Sequence, residues 1–277
     1  MADTVLGIVG WRSLLLHGDP CVLDRWLWLR RHARDGALRT LDAGCGNGAF
    51  SIYAARRGNE VVAVSLSADE LRKARRRAKR LHVRGIDFRM MDLRELDRHR
   101  SSLGGFEQIF CLETVEHVND DEQLLASLAA LLVPGGRLLL TAPFDEHHAL
   151  YSEQRYPSGV EDGSHVRYGY SQQRLRQIAE RAGLRITHES LLSGLISQKV
   201  TNLMRRLTRR TSRRVAWLAI LPLRPLVVLD RPLSHLVRYP RLSVAACAEK
   251  QVSAARLDRE RGSGEFDSST VGELLCE

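Results

Sequence analysis

The sequence has little cysteine, almost no lysine and no long apolar run. Its five cysteines are far apart and form no CxxC pair, which excludes a disulfide framework or a cysteine zinc site and predicts a reducing, cytoplasmic compartment. No stretch reaches the roughly 18 apolar residues that a membrane-spanning helix needs. The N-terminal residues also lack the basic segment of a signal peptide, so none is predicted.

Arginine supplies nearly all of the positive charge. Only four of the 42 basic residues are lysines, and the net charge is +9. The 277 residues, 44% of them hydrophobic and 27% charged, can bury one core with a small lobe or insertion. Scattered arginines are usually solvated, whereas a cluster would indicate an acidic partner or an anionic lipid surface.

The middle of the chain alternates between strand and helix patterns. This alternation predicts βαβ units and hence a parallel sheet covered on both faces, with ligands at the carboxyl ends of the strands. The predicted strands are Thr40–Ala43, Glu60–Ser65, Ile86–Met91, Glu107–Leu112 and Arg137–Thr141, and the helices between and after them are Gly48–Arg57, Ala68–His82, Asp121–Leu132 and Ser171–Ala182.

Four further segments flank this core, which we place at residues 39–194. Residues 1–38 are predicted to be a helical cover, residues 195–240 an insertion, residues 241–254 the closing strand and residues 255–277 a disordered tail. Leu184–Leu191 and Ser243–Glu249 are predicted as an antiparallel closing pair.

The insertion combines an arginine-rich stretch with a proline-broken apolar segment. Between residues 200 and 230 this pattern is typical of a helix that lies on an anionic membrane. A lid over the substrate pocket with solvated arginines is the alternative. Nucleic acid is disfavoured, because no aromatic residues are interleaved with the arginines.

A glycine-rich turn follows the first strand, in the sequence Asp42-x-Gly44-x-Gly46-x-Gly48. Gly44-x-Gly46-x-x-Ala49 also fits a loose dinucleotide fingerprint, which would indicate a nicotinamide enzyme. Two features argue against that interpretation. An acid precedes the first glycine, and Ser65 stands where a ribose-binding acid would be expected.

The turn and its surroundings resemble motif I of the class I S-adenosylmethionine (SAM)-dependent methyltransferases, from about Leu38 to Leu191. Met91-Asp92-Leu93 ends the third strand where that family places an acid near the adenine, and Leu112-Glu113 ends the fourth. The resemblance implies a Rossmann-like α/β fold. Its sheet would have seven mostly parallel strands with helices on both faces, and here a helical insertion before the last strand.

The resemblance also implies a set of SAM-binding residues. Ser65 would occupy the place of the ribose acid, although a hydroxyl lacks the charge-assisted strength of a carboxylate. The helix that begins at Gly48 would direct its N-terminal amides at the ligand. The implied cofactor contacts are Asp42, Gly44, Cys45, Gly46, Gly48, Ser65, Leu66, Asp92, Leu93 and Leu112.

The residues for chemistry are expected in Glu113-x-x-Glu116-His117. Methyl transfer requires a positioned acceptor and a group that removes its proton, and the end of the fourth strand lies beside the reacting methyl. His117 is the best candidate base because its ordinary pKa suits neutral pH. Glu113, Glu116 and His148 complete the predicted catalytic set, with His148 expected to line the acceptor pocket.

The same segment is similar to the metal-binding set of small-RNA 2′-O-methyltransferases and of quinone-pathway O-methyltransferases. That resemblance implies a site of Glu113, Glu116, His117 and His165 for Mg²⁺, Mn²⁺ or Zn²⁺. The alternative is a packing motif that metal-free relatives also carry.

We therefore expect SAM-dependent methyl transfer to an oxygen of a small-molecule, glycan or lipid-linked acceptor. Transfer to carbon or nitrogen stays open. A nicotinamide oxidoreductase and a non-catalytic SAM-binding protein are the rivals from other classes. The expected location is the cytoplasm. If the insertion binds lipid, the protein is expected to associate peripherally with the inner face of the membrane.

Overall fold

The computed structural model describes residues 20–145, 160–161 and 163–251, and a seven-stranded sheet forms the frame of this part. The strand order is β3-β2-β1-β4-β5-β7-β6, and β7 runs in the direction opposite to the other six strands. The strands are β1 Arg39–Ala43, β2 Glu60–Ser65, β3 Ile86–Met90, β4 Phe106–Leu112, β5 Leu132–Pro143, β6 Leu184–Leu192 and β7 Ser243–Lys250. The predicted Rossmann-like architecture is confirmed, including its antiparallel closing pair.

Helices cover both faces of the sheet. Along β4, Ile109 and Cys111 join the core under one helical layer, while Phe110 and Leu112 join the core under the other. Because both faces are buried, the strands are apolar almost throughout instead of alternating with polar residues. The helices are α1 Pro20–His32, α2 Ala49–Arg56, α3 Ala68–Arg80, α4 Arg100–Leu103, α5 Asp121–Leu131, α6 Gln172–Arg181, α7 Leu195–Arg210, α8 Arg213–Ile220 and α9 Asp230–Leu236.

The fifth strand begins earlier than predicted. The predicted strand begins at Arg137, after Pro134-Gly135-Gly136, a sequence that favours a turn, but β5 begins at Leu132. The residues between form a bulge, since Phe106 pairs with Leu132 and Gln108 with Arg137. Glycine is needed inside the bulge because a Cβ on Gly136 would lie 2.8 Å from the Val133 carbonyl oxygen.

The helical insertion between β6 and β7 is fixed by a buried carboxylate. Asp230 begins α9 and accepts hydrogen bonds from the backbone N–H groups of Gly194 and Ile196, at 2.6 Å each. It also accepts from the hydroxyls of Ser197 at 2.9 Å and Ser234 at 3.3 Å. An acid 35 or so residues away thus caps the N-terminus of α7, where the local sequence supplies no side-chain cap.

A second buried carboxylate joins β1 to α2. Asp42 is 2% exposed and accepts hydrogen bonds from the side chain and the backbone N–H of Ser51, in the first turn of α2. Burial raises the pKa of Asp42 from its ordinary 3.8 to about 6, and the two bonds from Ser51 lower it only in part. The folded protein therefore binds a proton at Asp42 more tightly than the unfolded chain does.

This difference predicts a pH dependence of stability. As the pH rises from about 3.8 to about 6, the contribution of Asp42 to the free energy of unfolding should fall, because the buried group must ionise. The loss should reach about 3 kcal/mol. Asp42→Asn, which cannot ionise, should therefore be more stable than the wild type at pH 7.5 and lose that advantage at pH 4.

Urea denaturation of both proteins across this pH range measures the difference. Asp87→Asn is the control, since Asp87 is exposed and pairs with Arg89 on the same strand, β3. A stability difference between wild type and Asp42→Asn that stays constant from pH 4 to pH 7.5 would contradict the assignment.

Candidate active site

A cavity of about 370 Å³ opens at the carboxyl ends of β1 to β4. This is the edge at which open α/β sheets bind ligands, and the volume falls in the range of small-molecule sites. The lining residues are Gly44, Gly46, Ser65, Leu66, Ser67, Glu70, Met91, Asp92, Leu93, Arg94, Glu113, Thr114, His117, Val118, Glu161 and Gly163.

The glycine turn is held in place by close packing on two sides. A Cβ on Gly44 would lie 2.3 Å from the Thr114 hydroxyl oxygen, and a Cβ on Gly48 would lie 2.7 Å from the Cβ of Ala74 on α3. Both glycines have positive φ angles, 86° and 75°, so a side chain would strain the backbone as well. These two glycines therefore let β4 and α3 approach the turn.

The implied cofactor contacts divide into two groups. Gly44, Gly46, Ser65, Leu66, Asp92 and Leu93 line the cavity; Asp42, Cys45, Gly48 and Leu112 are not among its lining residues. The buried carboxylate of Asp42 accepts a hydrogen bond from the Ser51 hydroxyl. Cys45 is 6% exposed, and burial raises the pKa of its thiol. As contacts of the cofactor, all ten remain predictions.

An arginine covers the acid at the end of β3. The Arg94 Nε lies 2.9 Å from both carboxylate oxygens of Asp92, and its guanidinium also pairs with Glu161. The hydrogen bonds from Arg94 lower the pKa of Asp92, so the acid is ionised at neutral pH. The sequence offered no signal for this contact, because Glu161 is far from β3 along the chain.

Glu113, at the end of β4, pairs with the N-terminal cover. The guanidinium of Arg25 on α1 lies 3.1 Å from one oxygen of its carboxylate. The other oxygen is buried and has no hydrogen-bond partner in the part of the chain that the structure describes. The backbone of Glu113 has a φ of 51°, which a non-glycine residue adopts only under constraint, and such strain is often found at functional sites. Arg25 is a second site residue that sequence reasoning missed.

Glu116 is a buried carboxylate beside two imidazoles. It is 1% exposed, and among the described residues neither of its oxygens has a hydrogen-bond partner. The Nε2 atoms of His117 and His165 lie 3.9 and 4.0 Å from one of them. Burial raises the pKa of Glu116 well above its ordinary value, and the nearby charge of Glu113 raises it further.

Three of the four predicted metal ligands are therefore close together. One ligand atom each from Glu116, His117 and His165 lies within 4.8 Å of the others. Glu113 does not belong to this group. His148, the remaining predicted catalytic residue, lies outside the described residues.

The segment after residue 162 fixes the orientation of His117. The Nδ1 atom of His117 lies 3.1 Å from the Ser164 carbonyl oxygen, which can only accept a hydrogen bond. Nδ1 thus carries the ring hydrogen, and Nε2 is the basic nitrogen. Val166 donates its N–H to the Glu116 carbonyl at 2.9 Å, and Arg167 donates to the Val118 carbonyl at the same distance.

Comparisons with known proteins agree with this geometry. The family model for a methyltransferase domain matches residues 18–189. A ubiquinone biosynthesis O-methyltransferase of Xanthomonas axonopodis pv. citri is 35% identical over 103 residues, which are 37% of this chain and 42% of that protein. The chain thus matches less than half the length of this curated relative.

Solved structures share the fold. A SAM-dependent methyltransferase from Mesorhizobium loti matches with a TM-score of 0.54 and 20% identity, over 84% of this chain and 99% of the other. A geranyl diphosphate C-methyltransferase from Streptomyces coelicolor A3(2), solved with Mg²⁺, geranyl diphosphate and S-adenosylhomocysteine, matches with a TM-score of 0.55 and 16% identity, over 82% and 79% of the two chains.

The family model covers more than half of the chain, and the sheet order agrees with the architecture that the resemblance implied. The resemblance to class I SAM-dependent methyltransferases is therefore confirmed, and the chain belongs to the methyltransferase-domain family.

Proposed function

We propose that this chain transfers a methyl group from SAM to an oxygen of a small-molecule, glycan or lipid-linked acceptor. The observation that carries the proposal is the cluster of Glu116, His117 and His165 at the end of β4, next to the glycine turn. The Xanthomonas relative is named for O-methylation in ubiquinone biosynthesis. An aromatic hydroxyl is therefore the first acceptor class to test.

His117 is proposed as the base. Its Nε2 has a free lone pair, because Nδ1 is engaged by the Ser164 carbonyl. As the acceptor oxygen attacks the methyl carbon, the carbon–sulfur bond breaks and its electron pair returns to sulfur, while the acceptor proton moves to Nε2. The carboxyl of Glu116, 3.9 Å from Nε2, stabilises the imidazolium that forms.

The same three side chains also fit a divalent cation. The two orphaned oxygens of Glu116 and the two imidazoles offer a mixed oxygen and nitrogen donor set, which suits Zn²⁺ or Mn²⁺ better than Mg²⁺. With an ion bound, Glu116, His117 and His165 would hold it, and the His117 Nε2 would be a ligand instead of the base. The ion would supply Lewis acidity that lowers the pKa of an acceptor hydroxyl. If activity survives exhaustive chelation with no metal left in the protein, this role is rejected.

We also propose that the insertion binds an anionic membrane surface. None of the helices in the described residues is long and apolar enough to cross a bilayer. Large apolar side chains are nevertheless exposed along the insertion: Leu203, Val215, Leu218, Leu226, Val228, Leu229, Leu233, Leu236 and Val237. Exposed arginines accompany them at positions 206, 209, 210, 213 and 214.

This combination suits the inner face of a cytoplasmic membrane, where apolar burial and attraction to anionic lipids add. The described residues that line the cavity include none from 195–240, which favours membrane contact over the lid interpretation. A lipid-linked acceptor would then be presented at the surface where the enzyme binds.

Substitution of the base tests the catalytic proposal. His117→Gln removes the base, and Glu116→Gln removes the group that stabilises the imidazolium. Each should therefore reduce methyl transfer to a phenol or catechol acceptor by about 100-fold or more, the scale of general base catalysis. Calorimetry should show that both variants still bind S-adenosylhomocysteine. Transfer of a radiolabelled methyl group from SAM, with identification of the methylated atom, provides the measurement.

His235→Gln is the matched control, since His235 is exposed on α9 in the insertion. Unchanged turnover in both cluster variants would refute the assigned chemistry. Binding of NADH in place of S-adenosylhomocysteine would support the nicotinamide alternative, and methylation at carbon or nitrogen would replace the oxygen assignment.

Charge reversal tests the membrane proposal. The triple variant Arg209→Glu, Arg210→Glu, Arg213→Glu should bind vesicles of phosphatidylcholine and phosphatidylglycerol at least about tenfold more weakly, because each basic residue near such a surface contributes on the order of 1 kcal/mol. Co-sedimentation at low salt is the measurement.

A second triple variant with the same change in charge is the control. It carries Lys73→Glu, Arg76→Glu and Arg84→Glu, which are exposed positions on and after α3. Equal loss of vesicle binding in the two triple variants would show that binding depends on net charge alone and not on the insertion. If the wild type does not bind the vesicles, the proposal that the insertion binds a membrane is rejected.

A further inference from the structure

We propose that Glu70 supplies the carboxylate that binds the ribose hydroxyls of SAM, a role for which β2 ends without an acid. The inference rests on the proposed function, in which SAM occupies the cavity. It follows from the hydrogen bonds at the β2–α3 connection, from the partners of the cavity carboxylates and from the order of the strands.

Ser65, the residue at the end of β2, already serves a structural role. Its hydroxyl oxygen accepts a hydrogen bond from the Ser67 N–H at 3.1 Å. The Ser67 hydroxyl in turn accepts the Glu70 N–H at 3.2 Å and caps α3. The two hydroxyls fix the connection and place Glu70, in the first turn of α3, at the wall of the cavity.

The cavity is lined by four carboxylates, and three of them have arginine partners. Asp92 and Glu161 pair with Arg94, and Glu113 pairs with Arg25. The fourth, on Glu70, forms neither an ion pair nor a hydrogen bond with any part of the chain that the structure describes. It is therefore free to accept hydrogen bonds from a ligand.

Three arginines of α3 have partners other than Glu70. Arg72 pairs with Asp69. Arg75 donates to the carbonyl oxygen of Phe88, and Arg77 donates to that of Asn47 at 3.2 Å. Both contacts bring these guanidinium groups to backbone oxygens. The negative charge of Glu70 thus stays available at the cavity wall.

The carboxylate of Glu70 lies directly beside the glycine turn. A Cβ on Gly46 would come within 2.9 Å of the Glu70 Oε2 atom, and Gly46 has a φ of 48°. Any side chain at this position would displace the carboxylate. The turn and the acid therefore form one wall of the cavity.

The order of the strands identifies the part of the ligand that meets this wall. The reacting methyl must face His117 at the end of β4, and the cavity extends from there past the β1 turn and the β2 end to Asp92 after β3. In SAM the ribose lies between the sulfonium and the adenine. With the methyl at β4, the ribose lies over the step from β1 to β2, beside Glu70.

A carboxylate suits this part of the ligand. Two adjacent hydroxyls can each donate to one of its oxygens, and such bonds to an ionised acceptor are stronger than bonds between neutral groups. Loss of bonds to a charged group predicts an affinity decrease of roughly 10- to 100-fold.

Calorimetric titration of the full chain with S-adenosylhomocysteine and its 2′-deoxy and 3′-deoxy analogues tests the assignment. The wild type should bind the deoxy analogues about tenfold more weakly than the parent compound. Glu70→Gln should weaken binding of the parent and reduce this discrimination to near unity, since the partner of the hydroxyls has lost its charge. Ser65→Asp in the Glu70→Gln background should restore part of both.

Asp69→Asn is the matched control, because it removes a neighbouring negative charge that is 69% exposed and paired with Arg72. It should leave affinity and discrimination unchanged. Wild-type affinity and full discrimination in Glu70→Gln would overturn the role of Glu70 while leaving SAM binding intact. If the wild type itself binds no S-adenosylhomocysteine, the proposed function fails first, so the two failures are distinguishable.

Discussion

The buried carboxylate of Glu116 is the constraint on which the candidate site depends. Removing an ionised carboxylate from water costs several kcal/mol unless a proton, a cation or hydrogen-bond donors compensate. Here both oxygens lack a hydrogen-bond partner among the described residues, and the imidazoles of His117 and His165 lie 3.9 and 4.0 Å from one of these oxygens. The chain holds Glu116 in this position through the backbone bond from Val166 and through the strained end of β4. Such an arrangement is costly for stability and useful for moving a proton.

The residues that stabilise the fold and the residues proposed for catalysis lie at the ends of different strands. On the β1 side, Asp42 joins the strand to α2, and Gly44 and Gly48 let other elements pack against the turn. The polar group among them, the Asp42 carboxylate, has its hydrogen-bond partner within the protein. On the β4 side, one oxygen of Glu113 and both oxygens of Glu116 lack a hydrogen-bond partner among the described residues. Catalytic groups are expected where buried polar atoms lack partners, so we place the proposed methyl transfer at the end of β4.

Helices and strands were predicted from the sequence more accurately than tertiary contacts between side chains. The succession of short apolar runs and helix-periodic segments gave most strand and helix limits to within one or two residues, because a buried strand is a continuous apolar run and a helix that packs on a sheet has one apolar face. The β5 limit was wrong, since a bulge and a turn share the same Pro-Gly signal. Arg25 and Glu70 were missed for another reason. Their roles arise from tertiary approach, Arg25 across more than 80 residues to Glu113 and Glu70 across the glycine turn. Arg25 belongs to no motif, and Glu70 belongs only to the Ser67-x-x-Glu70 pattern of a helix N-terminus, which does not indicate ligand binding.

Adjacent residues of α1 connect the insertion to the candidate site. Asp24 accepts the N–H of Ser193 at 2.6 Å and lies 3.5 Å from Arg231, in the region where Asp230 caps α7. Its neighbour Arg25 pairs with Glu113 at the end of β4. A displacement of the insertion must therefore either move α1 or break the contacts of Asp24. If α1 moves, Arg25 moves with it and changes the electrostatic environment of Glu113 and, through it, of Glu116. The surface proposed for lipid and the residues proposed for catalysis are thus joined by one short helix, which gives the N-terminal cover a role beyond burial of the core.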